Sequence, residues 1–150
     1  MKRNRSLIAT LALLLTAFAG LSHAQSFSSH DSEGIWTFFV TFSGAPPCQC
    51  IELGTLHSDG TYAGPGNDHF SGPVLGLWKQ TGFREITFSL LENNFNQDGT
   101  AGGVYVIKFV LTLNQSSTQG AGSGVAQIIN NDGTAGPPVN FTIKATKLTI

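Results

Sequence analysis

From residue 34 onward, the chain is a series of short segments that alternate apolar and polar residues and are separated by turn residues. The clearest are 35–43, in which Trp36 and Phe38 share one face, and 103–115. A two-residue alternation is typical of half-buried β-strands. No stretch after the first two dozen residues has the 3.6-residue period of an amphipathic helix. We therefore expect an all-β protein.

The predicted strands follow one another through short turns. A further short strand and a long loop are expected between Thr61 and Pro73. Sequential hairpins form a meander, and a long meander has two edges to protect. Closure into a barrel removes both edges, so we predict an up-and-down antiparallel β-barrel of about eight strands, with a β-sandwich as the alternative. The clearly predicted strands are 35–43, 50–58, 74–80, 84–95, 103–115, 122–130 and 139–150.

The tripeptide Asp-Gly-Thr occurs three times between strand-like segments, at 59–61, 98–100 and 132–134. Asp followed by Gly favours tight hairpin turns, because both residues tolerate positive φ. We predict type I′ turns at the three positions. Their spacing suggests successive hairpins at one end of the barrel.

The middle copy, within "NFNQDG" (94–99), also fits the start of a calcium-binding loop, with side-chain oxygens at alternate positions before a glycine. Such a loop requires Asp at its first position and Glu at its twelfth, where this chain has Asn94 and Tyr105. A turn is therefore favoured. No metal site and no cofactor are predicted.

Residues 1–24 have the pattern of a cleaved signal peptide. A basic start precedes the apolar run "LIATLALLLTAFAGL" and then Ser-His-Ala. We expect cleavage near Ala24 and a secreted or periplasmic protein. The run is shorter than the roughly 20 residues of a membrane-spanning helix and no similar run follows, so no integral membrane segment is expected in the mature chain. Residues 25–33 are expected to be a flexible N-terminus, and 34–150 a single domain.

The charge balance argues against a nucleic acid partner. The chain has 8 Lys and Arg against 9 Asp and Glu. Three of the bases lie in the expected signal peptide, which leaves 5 against 9 and a net charge of −4. Proteins that bind nucleic acids or anionic membranes need a basic surface, and this composition does not supply one.

The segment Gly34-Ile35-Trp36 opens the first predicted strand. A Gly-x-Trp at this place, followed by a strand meander, resembles the lipocalins and avidins, which are calycin-type small ligand-binding barrels. The resemblance implies that Trp36 packs across the closed end of the barrel and that the interior holds a small molecule. It covers three residues and the architecture, and it does not imply biotin specificity. Trp78, in a second Gly-x-Trp, is an alternative structural anchor.

The two cysteines, Cys48 and Cys50, are separated by one residue. An exported protein favours an oxidised pair. Residues i and i+2 of a strand lie about 6.5–7 Å apart, at the limit for a disulfide, so the bond requires a bend after Pro46-Pro47. A structural clip is favoured over a redox role for this possible disulfide.

Three functions remain open for such a barrel. It could bind a small apolar molecule, act as a cyclase, isomerase or dehydratase with the general architecture of allene oxide cyclase, or be a structural or surface-interaction protein with a packed interior. Binding is favoured, and the sequence identifies no catalytic residue. A cavity of about 300 Å³ or more is needed for either ligand hypothesis, and a buried titratable residue in it would favour the enzyme.

The candidate ligand-binding residues combine presumed interior aromatics with polar groups on neighbouring strands. The carboxylates of Glu52, Glu85 and Glu92 are each expected to be solvated, although Glu52 remains a candidate. The candidates are Trp36, Phe38, Glu52, His57, Trp78, Tyr105, Ile107 and Phe109.

Overall fold

The computed structural model describes residues 28–44, 49–66 and 71–149. The described chain contains eight strands, and the predicted series of hairpins is confirmed, including the short strand after the first Asp-Gly-Thr. The expected signal peptide, residues 1–24, lies outside the described residues. The strands are β1 (Gly34–Phe42), β2 (Gln49–Leu56), β3 (Thr61–Gly64), β4 (Ser71–Gly82), β5 (Glu85–Phe95), β6 (Ala101–Leu113), β7 (Gln119–Ile129) and β8 (Val139–Lys147).

The strands form one closed antiparallel barrel in sequence order. Each strand pairs with the next, and β8 returns to β1 over the register Trp36↔Lys147 to Phe42↔Phe141. Because the sheet closes on itself, the predicted up-and-down barrel is confirmed and the sandwich alternative is excluded. A 3₁₀ turn at Ser29–Ser32, within the segment expected to be a flexible N-terminus, precedes β1. The described residues contain no helix of the length and apolarity needed to cross a membrane.

Strand order defines the two ends of the barrel. The connections after β1, β3, β5 and β7 lie at one end, called here the mouth. Those after β2, β4 and β6 lie at the other, called the closed end. Trp36 is fully buried at the closed end, and its indole N–H donates to the carbonyl oxygen of Ser32 at 2.8 Å. Trp78 lies at the same end, and its indole N–H donates to the carbonyl oxygen of His57 at 3.0 Å.

Five rings fill the middle of the barrel and form what is called here the aromatic layer. Phe88 stacks on Phe109 with ring centroids 4.2 Å apart, and the other rings meet at tilted or edge-to-face angles around 6 Å. These are favourable aromatic arrangements. This aromatic layer lies between the closed end and the mouth. The layer consists of Phe38, Tyr62, Phe88, Phe109 and Phe141.

The three Asp-Gly-Thr segments are hairpin turns, as predicted, but not of type I′. Only the glycines, Gly60, Gly99 and Gly133, have positive φ, at +83°, +80° and +83°. Each glycine N–H donates to the carbonyl oxygen three residues earlier. This is a type I turn followed by a left-handed glycine. The aspartate side chain of each turn accepts hydrogen bonds from the backbone N–H and the hydroxyl of the threonine two residues later.

The expectation that these three turns share one end of the barrel is wrong. The first turn follows β2 and lies at the closed end, whereas the second follows β5 and the third follows β7, both at the mouth. Three strands separate the first turn from the second, and an odd number of strands returns the chain to the opposite end. The short strand β3 makes the number of intervening strands odd, so the first and second turns lie at opposite ends.

Candidate functional site at the mouth of the barrel

The barrel is open at its mouth into a cavity of about 450 Å³, called here the mouth cavity. This volume exceeds the roughly 300 Å³ at which small-molecule sites begin. Its polar lining residues are Cys50, Ser71, Glu92, Asn94 and Tyr105. Its apolar lining residues are Phe42, Ile107, Ala126, Ile128, Pro137 and Val139.

A second space of about 30 Å³, called here the inner chamber, lies deeper in the barrel. It has room for one or two water molecules. Glu52 and Tyr62 line the inner chamber but not the mouth cavity. Phe42, Glu92 and Ile107 line both spaces, so the inner chamber adjoins the mouth cavity at Glu92.

The alternation of β5 explains why Glu92 points inward. Ile86, Phe88 and Leu90 occupy successive interior positions, and Glu92 is the next residue of the same parity. Its side chain is buried, with 8% of the residue exposed. In the β5–β6 register Glu92 lies directly opposite Tyr105, which brings a carboxyl and a phenol to the wall of the mouth cavity.

Glu52 is held by a short hydrogen bond. The hydroxyl of Tyr62 on β3 donates to Oε1 of Glu52 on β2 at 2.6 Å. Two glycines make room for this pair. A side chain at Gly54 would collide with the Tyr62 ring, and one at Gly64 would approach Oε1 of Glu52 to 3.2 Å. The pair therefore depends on the absence of side chains at these positions.

The interior environment changes the acidity of both partners. Burial, opposed by the Tyr62 hydrogen bond and assisted by the charge of Glu92, raises the pKa of Glu52 to about 7. The pKa of Tyr62 is also raised, first by burial and then by the charge of Glu52. Glu52 therefore exchanges its proton near neutral pH, which ordinary glutamates do not.

Other titratable side chains lie around Glu52 and Glu92 on the walls of the two spaces. The titratable neighbours are Tyr62 on β3, Tyr105 on β6 and Cys50 on β2, and β1 contributes only apolar side chains. The described lining of both spaces contains no lysine, arginine or histidine.

The structure separates the sequence-predicted candidates into four groups. Phe38, Glu52 and Phe109 line the inner chamber, Tyr105 lines the mouth cavity, and Ile107 lines both. The other three candidates lie elsewhere. Trp36 and Trp78 are buried at the closed end with their N–H groups bonded to backbone carbonyls, and His57 is exposed beside the closed-end turn.

Cys50 lies on the wall of the mouth cavity and packs against the core. Its neighbour Cys48 lies outside the described residues, so their disulfide remains a prediction. The described residues contain no group of three or more His, Cys, Asp or Glu side chains that could hold a metal ion. In the middle turn, the Asp98 carboxylate accepts hydrogen bonds from Thr100.

Sequence analysis missed part of the site. Glu92 was expected to be solvated, but it has the same parity as Ile86 and Phe88, and that parity is a signal that identifies it. Glu52 was also expected to be solvated. On β2 the large apolar residues Ile51 and Leu53 face solvent. The alternation of apolar residues therefore predicts the wrong inward face for this strand. Tyr62 and Ser71 carry no distinguishing motif, and Asn94 was considered only as the first position of the calcium-loop pattern.

A larger open groove of about 590 Å³ lies outside the closed end. It is formed by the hairpin turns and the N-terminal 3₁₀ turn, with His30, Phe83 and Lys147 among its lining residues. Phe83 and the side chain of His30 are largely exposed. Because this groove has no connection with the barrel interior and no buried titratable group, the mouth is the better candidate site.

In comparisons with known proteins, no family model, no curated protein and no solved structure matches this chain.

Proposed function

We propose that this protein is a secreted, calycin-type β-barrel that binds one small, mainly apolar molecule in its mouth cavity. The observation that carries the proposal is the mouth cavity of about 450 Å³, which continues into the barrel interior. A purely structural barrel is expected to have a fully packed interior without a cavity of this size. Export rests on the signal-peptide pattern of residues 1–24.

The lining indicates the chemistry of the ligand. Aliphatic and aromatic side chains from β1, β6, β7 and β8 form most of the wall and favour an apolar body. Glu92, Asn94 and Tyr105 form a polar strip on β5 and β6. A ligand with one hydrogen-bonding group fits this arrangement, since a polar group buried without a partner costs affinity. Nucleic acid is not proposed as a partner, because the mature chain is acidic.

The test uses N-phenyl-1-naphthylamine, a neutral apolar dye whose fluorescence rises in apolar sites. We expect saturable binding of one dye per chain. Ile128→Trp places a large side chain in the mouth cavity and should abolish binding. The matched control is Val125→Trp on the same strand, where Val125 is 39% exposed and outside the cavity lining.

Equal dye binding by the Ile128→Trp and Val125→Trp variants would show that the dye does not enter the mouth cavity. That result, or no saturable binding by the wild-type protein, would overturn the proposed function.

A further inference from the structure

We propose that this protein forms a dimer in which the outside of the barrel, over β1, β2, β4 and β5, packs against the same surface of a second copy. This surface is called here the outer apolar face, and it consists of Phe39, Ile51, Leu53, Leu75, Leu77 and Leu91. It lines neither the mouth cavity nor the inner chamber, so the dimer is independent of the proposed ligand site.

The side chains of the outer apolar face are neighbours in the sheet. Phe39 on β1 lies directly opposite Ile51 on β2, and Leu75 on β4 lies directly opposite Leu91 on β5. The short strand β3 lies between β2 and β4, where Ala63 is in register with Leu75. Because the side chain of Ala63 is small, it does not separate the two halves of the face.

Strand β4 has the composition of a strand that is covered on both sides. Its residues 74–78, Val-Leu-Gly-Leu-Trp, are all apolar. Val74 and Trp78 point into the barrel and are buried, whereas Leu75 and Leu77 point outward and are 58% and 63% exposed. A continuous apolar run is typical of strands that have protein on both sides. The barrel itself covers only the inner side.

Strand β2 reverses the usual alternation. Its large apolar side chains Ile51 and Leu53 point outward, while Glu52 lines the inner chamber and Gly54 faces the Tyr62 ring. Folding of one chain therefore leaves apolar area on β2 in contact with water. Removal of this area from water is available to drive association.

The size of the outer apolar face fits a dimer. At about 100 Å² for each half-exposed side chain, its six residues offer roughly 600 Å² of apolar surface. The largest apolar patch of a typical monomer is roughly 300–600 Å². Together with the threonines between these residues, the face approaches the roughly 800 Å² that each partner contributes to a standard interface.

The chemistry of the face favours a second copy over a charged partner. The outward positions of β1, β2 and β3 that the structure describes are aliphatic, aromatic or threonine side chains, with no charged residue among them. The other side of the barrel differs, since Ser123 on β7 pairs with Thr142 on β8 and Lys144 is exposed. Homodimer interfaces are more apolar than other interfaces, and a two-fold axis presents the same surface on both copies.

The experiment measures the mass of the exported protein by analytical ultracentrifugation over a range of micromolar concentrations. We expect twice the mass of one chain. Leu75→Glu places a charge within the face and should raise the dissociation constant of the dimer by about 100-fold or more, because a charge without a partner is costly to bury. The matched control is Val125→Glu on β7, where Val125 is 39% exposed and outside the face. It should leave the dissociation constant unchanged.

Circular dichroism verifies that the variants fold. If Leu75→Glu does not fold, Leu53→Glu tests the same face from β2, and the melting temperature of the wild type must rise with protein concentration. A monomeric wild type, a melting temperature independent of concentration, or equal dissociation constants for Leu75→Glu and Val125→Glu would refute the dimer. Binding of a monomeric wild type to phosphatidylcholine vesicles, lost in Leu75→Glu, would also refute it and assign the face to a lipid surface. Leu75→Glu should still bind N-phenyl-1-naphthylamine, since the proposed ligand site is separate.

Discussion

The closed end and the mouth of this barrel are built from the same eight strands, yet their interiors differ. At the closed end, Trp36 and Trp78 are buried and both indole N–H groups bond to backbone carbonyls. Toward the mouth, Glu92 lines both the mouth cavity and the inner chamber, and Glu52 lines the inner chamber together with Tyr62. One end satisfies every indole N–H within an apolar core, and the other concentrates acidic groups.

The interior residues change from one end of the barrel to the other along individual strands. On β5 the interior positions change from Ile86 at the closed end to Glu92 near the mouth. On β6 they change from Tyr105 near the mouth to Leu113 at the closed end. The aromatic layer lies between the two regions. Stability is therefore expected to depend on the closed end, and ligand chemistry on the mouth.

The sharpest test of this division compares Trp36→Ala with Tyr105→Ala. Trp36 is fully buried, so its truncation should lower the free energy of unfolding by about 3–5 kcal/mol. Tyr105 is only partly buried on the cavity wall, and its truncation should cost about 1 kcal/mol. Urea unfolding followed by circular dichroism measures both. Equal losses at the two ends would refute the division.

Above the ordinary carboxyl pKa, the pH dependence of stability should report Glu52 in the inner chamber. The folded-state pKa of Glu52, about 7, lies above its ordinary value of 4.5, so the folded protein binds more protons than the unfolded chain between these values. The resulting stability is complete below pH 4.5 and is lost as pH rises through 7, by at most about 3 kcal/mol. The free energy of unfolding of Glu52→Gln should not show this loss.

A plot of wild-type stability minus Glu52→Gln stability, taken from urea unfolding at several pH values, makes the comparison direct. We expect this difference to fall between pH 4.5 and 8. A constant difference would show that Glu52 is solvated, as its sequence context first indicated.

Gly54→Ala probes the support of the Glu52–Tyr62 pair. A Cβ atom at Gly54 would overlap the Tyr62 ring, so the ring must move and its hydrogen bond to Glu52 must change. We expect a loss of about 1–3 kcal/mol, the usual effect of overpacking, measured by urea unfolding. Gly44→Ala is the control, because a Cβ there meets no atom within 4 Å. Equal effects of the two substitutions would contradict this role of Gly54.

The sequence predicted the architecture better than the site. Alternation on β1, β5 and β6 is regular, so strand existence and inward faces followed from residue type alone. Strand ends followed less well. The strands predicted at 74–80 and 84–95 leave residues 81–83 between them, but β4 continues to Gly82 and the turn is Phe83-Arg84, with Arg84 at φ +57°.

The Glu52–Tyr62 pair was not predictable for a physical reason. Tyr62 lies in a four-residue strand inside a Gly- and Pro-rich segment, which carries almost no periodic signal. The inward direction of Glu52 depends on strand register, since its apolar neighbours Ile51 and Leu53 face solvent. A contact between β2 and β3 that forms around two glycines appears only in three dimensions. Glu92, by contrast, follows from the parity of β5.

The smallest expected effect on stability comes from the Asp–Thr hydrogen bonds of the hairpin turns, and it should be the same at both ends of the barrel. The turns at Asp59 and Asp98 lie at opposite ends of the barrel but have the same backbone bonds, and each aspartate accepts a 2.6 Å hydrogen bond from the threonine hydroxyl. These bonds lower the pKa of both aspartates. Their contribution is therefore present above the ordinary carboxyl pKa and is lost as pH falls through the lowered value.

Thr61→Val and Thr100→Val keep the β-branched shape and remove only the hydroxyl. We expect small and equal decreases in melting temperature at pH 7 that shrink in acid, measured by thermal unfolding of both variants. A clearly larger decrease for Thr61→Val would mean that the closed end also depends on its turn, because the segment from His57 to Gly60 holds Trp78 through two bonds. The division between the ends would then extend from side-chain packing to the hairpins themselves.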